Sequence, residues 1–274
     1  MGTSSFAITD GKTTFMIDGF CSRPPAWKLL LSNIRPDKGR IETCLARAGV
    51  TNVSGIFVAH THYDHAMDAP TIARATGATL FGSESMKIMA AGERVPPAQW
   101  HKIEDGAKIN VGAFVVDVIQ TPHAPSRFAR GEVSEPWRVP TYFTKYKAGS
   151  SFSFLLRHRN EDMSVLIVPS AGVRAGDFTG VKADTVFLSV GLLGKQTPEY
   201  ISQFWQNTVR TVGAQYVVPI HWDDFSRPLE EPLRPAPRIL DDVEAALSAI
   251  STLALSDGVA LHMPKSYEVF HLSR

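Results

Sequence analysis

The chain has 274 residues, 44% hydrophobic and 20% charged, which is enough apolar material for a sizeable core and excludes a disordered or fibrous chain. A formal net charge of +1 gives no global drive toward nucleic acid or an anionic membrane, so neither is expected as a partner, although a local patch would act on its own. No stretch approaches the roughly 18 apolar residues of a membrane span and no signal peptide precedes Gly2. The expectation is therefore a cytoplasmic protein, or a periplasmic or secreted one where a leader has been removed.

Residues 6–8 and 13–17 read as strands flanking Asp10-Gly11, a hairpin turn signal. Cys21 and Cys44 are too few for a disulfide framework and read as small buried residues, with one disulfide left open for an exported chain. Residues 40–48 read as a helix stopped at Gly49. The apolar run Gly55-Ile56-Phe57-Val58-Ala59 has the character of a buried strand, and it ends in His60-Thr61-His62-Tyr63-Asp64-His65. Side chains alternate along an extended segment, so His60 and His62 face the same way and can hold one ion, while Asp64 and His65 at the turn beyond reach a second. Imidazole nitrogens and carboxylate oxygens suit zinc, with manganese or iron as alternatives, and a catalytic site keeps a position open for water. Residues 66–76 are compatible with a helix ending at Gly77. Asp68 on that helix either steadies a ligand or acts as a first-turn acid facing the helix dipole.

Ser83 can cap a helix through Ala90, and strands are expected at residues 108–111, 114–120, 152–157, 165–169 and 185–190. Between them, residues 124–148 form a long loop rich in arginine, lysine and aromatics, with five cations against Glu132 and Glu135. A loop of that length in a compact domain is usually functional, and its charge favours an anionic substrate met by Arg127, Tyr142 and Lys145. Residues 198–211 read as a helix with proline in its first turn, and residues 223–237, with prolines at 228, 232, 235 and 237, as an irregular strap. His101, His158, His262 and His271 have no ligand context and read as surface or core residues. The alternation of elements is that of a layered α/β (α+β) sandwich, sheets inside and helices outside.

His-x-His-x-Asp-His after a hydrophobic strand resembles the signature of the metallo-β-lactamase superfamily of hydrolases. The resemblance implies a four-layer αββα sandwich with residues 1–274 as a single domain, and a first strand or leader ahead of Gly2-Thr3-Ser4-Ser5-Phe6. It implies further ligands at His123, after residues 114–122, and at His221, after Tyr216-Val217-Val218-Pro219-Ile220. His60, His62 and His123 would then hold one zinc, and Asp64, His65 and His221 a second, with Asp223 available to steady His221. Most dinuclear relatives bridge the metals with an aspartate in Gly-Asp. Here the corresponding strand runs into Pro169-Ser170-Ala171-Gly172, so Ser170 takes that position, unless Asp177 of Gly176-Asp177 does. Without a carboxylate bridge the second zinc should bind more weakly.

The site implies a metal-bound hydroxide as nucleophile, with Asp64 orienting it and relaying its proton. The contexts of His221-Trp222-Asp223-Asp224-Phe225 and the Gly2–Phe6 element look closest to the branch holding the L-ascorbate-6-phosphate lactonases. The expected activity is zinc-dependent hydrolysis of a small ester-like substrate, a lactone or a phosphoester. A β-lactamase-like amide hydrolase and a metal-binding member without turnover are the alternatives, and a homo-oligomer is left open.

Overall fold

In the computed structural model, which describes residues 1–272, Asp10 Oδ1 accepts the backbone N–H groups of Lys12 (2.9 Å) and Thr13 (2.7 Å), and Gly11 takes φ +81°. An aspartate that bonds its own backbone beside a glycine free to enter positive φ makes the tight turn between Phe6–Thr9 (β1) and Thr14–Ile17 (β2). Beyond β2 lie Ala26–Leu31 (α1), Lys38–Arg47 (α2), Gly55–Phe57 (β3), Tyr63–Ala66 (α3), Ala69–Thr76 (α4), Thr79–Gly82 (β4), Glu84–Gly92 (α5) and Trp100–Lys102 (β5). The five strands form one sheet in the order β1-β2-β3-β4-β5, antiparallel at the hairpin and parallel from β2 onward. Parallel pairing sends the C-terminal ends of β2, β3 and β4 to one edge, the usual place for a ligand site.

This sheet belongs to the first of two compact units, comprising Met1–Ile103, Arg127–Ser151 and Phe225–Pro232. The span expected as one helix over 66–76 is two, because Pro70 sits in the first turn of α4, where its missing N–H does no harm but starts a new helix. Cys21 and Cys44 are buried as expected, yet they are joined: their Cα atoms lie 5.9 Å apart and the disulfide ties the segment after β2 to α2.

The second unit comprises Glu104–Ser126, Phe152–Asp224 and the chain from Leu233. It holds Lys108–Val111 (β6), Phe114–Gln120 (β7), Phe152–His158 (β8), Glu161–Val168 (β9), Thr185–Ser189 (β10), Pro198–Trp205 (α6), Tyr216–Ile220 (β11), Val243–Asp257 (α7) and Ala260–Leu261 (β12). Its seven strands run β12-β11-β10-β9-β8-β7-β6, antiparallel from β6 to β9 and parallel from β9 to β12. The helix expected to reach residue 211 stops at Trp205 and continues as a π turn over Gln206–Arg210, where the Thr211 N–H and hydroxyl both bond the Gln206 carbonyl. Val243, Ala246, Ile250 and Ala254 of α7 are buried at helical spacing, and the last three pack with Trp205, Val186 and Leu188 in one core. The strap after His221 is closed by an isolated bridge between Asp223 and Pro235 and by Asp224 N–H donating to Arg234 O at 2.7 Å. The fold is thus mixed α/β with two sheets, and among the described residues no helix is long and apolar enough to cross a membrane.

Candidate metal centre

The chain leaves β3 extended, and His62 is still extended (φ −63°, ψ 153°) before Tyr63 begins the single turn of α3. Alternation therefore holds through His62, and the turn brings Asp64 and His65 round. His60 Nε2 and His62 Nδ1 stand 3.2 Å apart. Two nitrogens each at zinc-ligand distance in a tetrahedral shell are separated by about 3.3 Å, so this pair fits one ion. His62 Nε2 lies 3.2 Å from the Ala129 carbonyl, which places the ring proton there and leaves the lone pair on Nδ1, toward His60. Thr61 locks the same stretch, its N–H donating to Ala148 O at 2.8 Å.

His65 is wired more tightly. Its Nδ1 lies 2.7 Å from Asp18 Oδ2 and 3.0 Å from Ser4 Oγ, and Ser4 Oγ itself donates to Asp18 Oδ2 at 2.7 Å. A carboxylate only accepts, so His65 Nδ1 carries the proton and Nε2 carries the lone pair, which points to the side where Asp64 Oδ2 stands 3.5 Å away. Asp18 is fully buried, accepts the Ala59 N–H with its other oxygen at 2.8 Å, and holds φ +56°, a strained conformation of the kind found at functional sites. Sequence reading passed over Asp18. The available signal was its position at the end of β2, whose parallel partner β3 runs into the histidine motif.

Asp68 takes neither of its expected roles. Its carboxylate is buried at the start of α4, accepting the N–H groups of Cys21 (2.8 Å) and Ser22 (2.6 Å) and the Ser22 hydroxyl (2.6 Å), and it makes no cap bond. Burial raises its pKa to about 6, against the opposing pull of those hydrogen bonds. Three donors at Cys21 and Ser22 outcompete a helix end whose first turn already contains proline.

In the second unit His123 follows β7, and its Nδ1 lies 2.7 Å from Ala124 O, so Nε2 is again the lone-pair nitrogen. Ser170, at the end of β9 and buried, accepts the Ala124 N–H at 2.9 Å. The turn after it lies flush on the His123 backbone, since a Cβ on Gly172 would stand 2.1 Å from Pro122 O. Asp177, by contrast, is committed to its own turn, accepting Arg174 N–H at 2.7 Å and Arg174 Nε at 3.2 Å. His221 follows β11 with φ +59°, and Gly191 after β10 lies behind it: a Cβ there would be 2.9 Å from His221 Nδ1. The Gly191-Leu192 turn is held by Asp241, which accepts Leu192 N–H at 2.6 Å and whose pKa is raised by burial. Asp223 is buried beside His221 in sequence.

Arg127, Tyr142 and Lys145 are exposed, Lys145 standing 4.0 Å from Glu135. The loop residues that reach the histidine motif are others: Phe143 and Tyr146 meet Tyr63 edge-on at 6.1 and 6.5 Å, and Trp137 backs Tyr146 at 4.5 Å. His158 packs on Phe114 and His262 bonds Glu268, as their lack of ligand context suggested.

A family profile described as the β-lactamase superfamily domain matches residues 25–222. The chain belongs to the β-lactamase superfamily. A UPF0173 metal-dependent hydrolase of Pyrobaculum arsenaticum is 24% identical over 252 residues, covering 91% of each protein. A relative of the same name from Chloroflexus aurantiacus is 24% identical over 174 residues, 64% of this chain and 66% of that protein. Igni18, a metallo hydrolase of Ignicoccus hospitalis with a solved structure, superposes with a TM-score of 0.59 at 12% identity, over 97% of this chain and 94% of that one. At that identity the likeness carries the superfamily fold and no more. Within that fold, this β-lactamase superfamily member has His62, His65 and His123 each with one ring nitrogen against a protein oxygen.

Proposed function

We propose that this metal-dependent hydrolase works with two zinc ions, one held by His60, His62 and His123 and a second, weaker one by Asp64, His65 and His221. The observation that carries the reading is the wiring of the motif: Ser4 and Asp18 fix the His65 proton on Nδ1, and His60 and His62 present facing nitrogens 3.2 Å apart. Such an arrangement supports ligation, because a histidine ligand must offer an unprotonated nitrogen in a fixed direction. On this reading residues 1–274 act as one catalytic domain.

When bound, a zinc pair supplies Lewis acidity and brings the pKa of water toward neutrality. The chain's own part is positional. Asp64, buried at the start of α3, can accept a proton at its carboxylate and return it to the leaving group. Tyr63, Phe143, Tyr146 and Trp137 form an aromatic wall beside the motif that limits water. The small, uncharged Ser170 keeps a bridging carboxylate out of the His123 turn, which is why the second ion is the weaker.

The substrate we assign is a small ester-like molecule, a lactone or phosphoester as in the ascorbate-6-phosphate lactonase-like branch, with an anionic group met by the basic 124–148 loop. Zinc-loaded protein is tested on a panel of lactones, phosphodiesters and β-lactams, with metal content followed during graded dialysis against chelator. Turnover of lactone or phosphoester with more than one zinc per chain is expected. Turnover of β-lactams alone, or a single equivalent with no second occupancy, overturns the reading.

A further inference from the structure

Helix α1, Ala26-Trp27-Lys28-Leu29-Leu30-Leu31, is inside out. Trp27, Leu30 and Leu31 recur at i, i+3 and i+4, the stripe that a surface helix normally turns toward the core. Here they are 62%, 78% and 81% exposed, and the helix buries no residue at all. What anchors this stretch is Ile34 just beyond, fully buried and bridged to Thr141 through hydrogen bonds of 2.8 and 3.0 Å. That bridge ties α1 to the 124–148 loop, where Tyr142, next to the bridge, is 60% exposed and Phe128 is 74% exposed. Five of the eleven large exposed hydrophobics of the described residues therefore lie on these two tied segments, all in the first unit.

Charge is concentrated on the loop and on the residues that follow α1 into α2. Arg35, Lys38, Arg127, Arg130, Arg138 and Lys145 are exposed, against three exposed carboxylates, Asp37, Glu132 and Glu135, while the whole chain is only +1. Lys145 stands 4.0 Å from Glu135, and six exposed cations against three carboxylates leave the surface net basic. A second copy of the chain would set these cations against one another, and the centres of protein interfaces are depleted in charge. An apolar stripe with tryptophan and leucine, flanked by lysine and arginine, matches instead the boundary of an anionic bilayer, where the rings and leucines enter the acyl edge and the cations meet phosphate headgroups. We propose that α1 and the tied 124–148 loop form a peripheral docking surface for an anionic lipid membrane.

The test is sedimentation of the full chain with vesicles of phosphatidylcholine alone and of phosphatidylcholine containing about one third phosphatidylglycerol. Binding to the anionic vesicles is expected, at least about tenfold weaker on neutral vesicles and declining as salt is raised from about 0.05 to 0.5 M. The variant Leu30→Gln/Leu31→Gln should lose at least about tenfold in vesicle affinity, and Arg35→Gln/Lys38→Gln should lose the salt dependence in part. Both should keep the wild-type thermal midpoint, because the replaced side chains lie in solvent. No sedimentation with anionic vesicles, or binding unchanged in both variants, overturns the proposal. A concentration-dependent dimer that Leu30→Gln/Leu31→Gln abolishes, without vesicle binding, also overturns it and gives the face to a second copy.

Discussion

Replacing Asp18 with asparagine isolates the wiring of His65. The asparagine oxygen can still accept the Ala59 N–H that Asp18 Oδ1 holds at 2.8 Å, and the Ser4 hydroxyl can rotate to accept from the new amide. His65 is left worse off: its Nδ1–H, 2.7 Å from Asp18 Oδ2, would face an amide N–H and keep only Ser4 Oγ at 3.0 Å as a weaker acceptor, so the tautomer with the lone pair on Nε2 loses its charged partner. Loss of such an orienting partner costs about 10- to 100-fold in metal affinity, equivalent to about 1.4 to 2.7 kcal/mol. The stability cost is smaller than the bond count suggests, because removing a buried charge offsets part of it, and about 1 to 3 kcal/mol leaves a folded protein. Competition with a chromophoric zinc chelator measures the affinity, and circular dichroism of the metal-free variant checks the fold. A folded Asp18→Asn protein that binds zinc as tightly as wild type would refute the triad argument.

Asp64→Asn keeps volume and removes charge, so turnover should fall at least about 100-fold in a folded protein, while His158→Gln, on the Phe114 stack, should be mild; comparable rates in the two would show Asp64 misassigned. Ser170→Asp should tighten the weaker zinc in competition with an indicator, and unchanged affinity combined with metal loss in Asp177→Ala would move the bridging position to Asp177. Asp68 bears on pH: its folded pKa of about 6 lies above the ordinary carboxylate range, so its contribution to stability is full below about pH 4 and is lost as pH rises through 6. That loss amounts to about 3 kcal/mol, so denaturant unfolding of chelator-treated protein should show a flatter profile between pH 4 and 7 for Asp68→Asn; parallel profiles would count against it.

The part of the site that sequence reveals is the part that is local. Four donors between His60 and His65 need only the alternation of a strand and one turn to become a cluster, and both follow from the residues themselves. Asp18 lies 41 residues from Ala59 and 47 from His65, and an aspartate after a strand looks like any turn former until the parallel register of β2 with β3 is known. Asp68 misled for the complementary reason: proximity to His65 in sequence suggested partnership, while the folded chain turned its carboxylate to Cys21 and Ser22. Strands with strong alternation, such as β7, were found at their true limits, whereas β4 and β5 are short, and α7 carries alanines where larger apolar residues would have marked its stripe. The disulfide was legible only as two cysteines, since pairing depends on the distance between α2 and the segment after β2.

The positions of the donors along the strands have a consequence for how such a protein can change. Asp18 and His60 follow β2 and β3 in one sheet, and His123 and His221 follow β7 and β11 in the other, each fixed by backbone register rather than by the loop that comes after it. Most of residues 124–148 belong to no strand or helix and are held by bonds such as Thr61 to Ala148 and Ile34 to Thr141. Loops tolerate sequence drift far better than residues set by strand register, so relatives of this chain are expected to differ first in this loop and last at the strand ends.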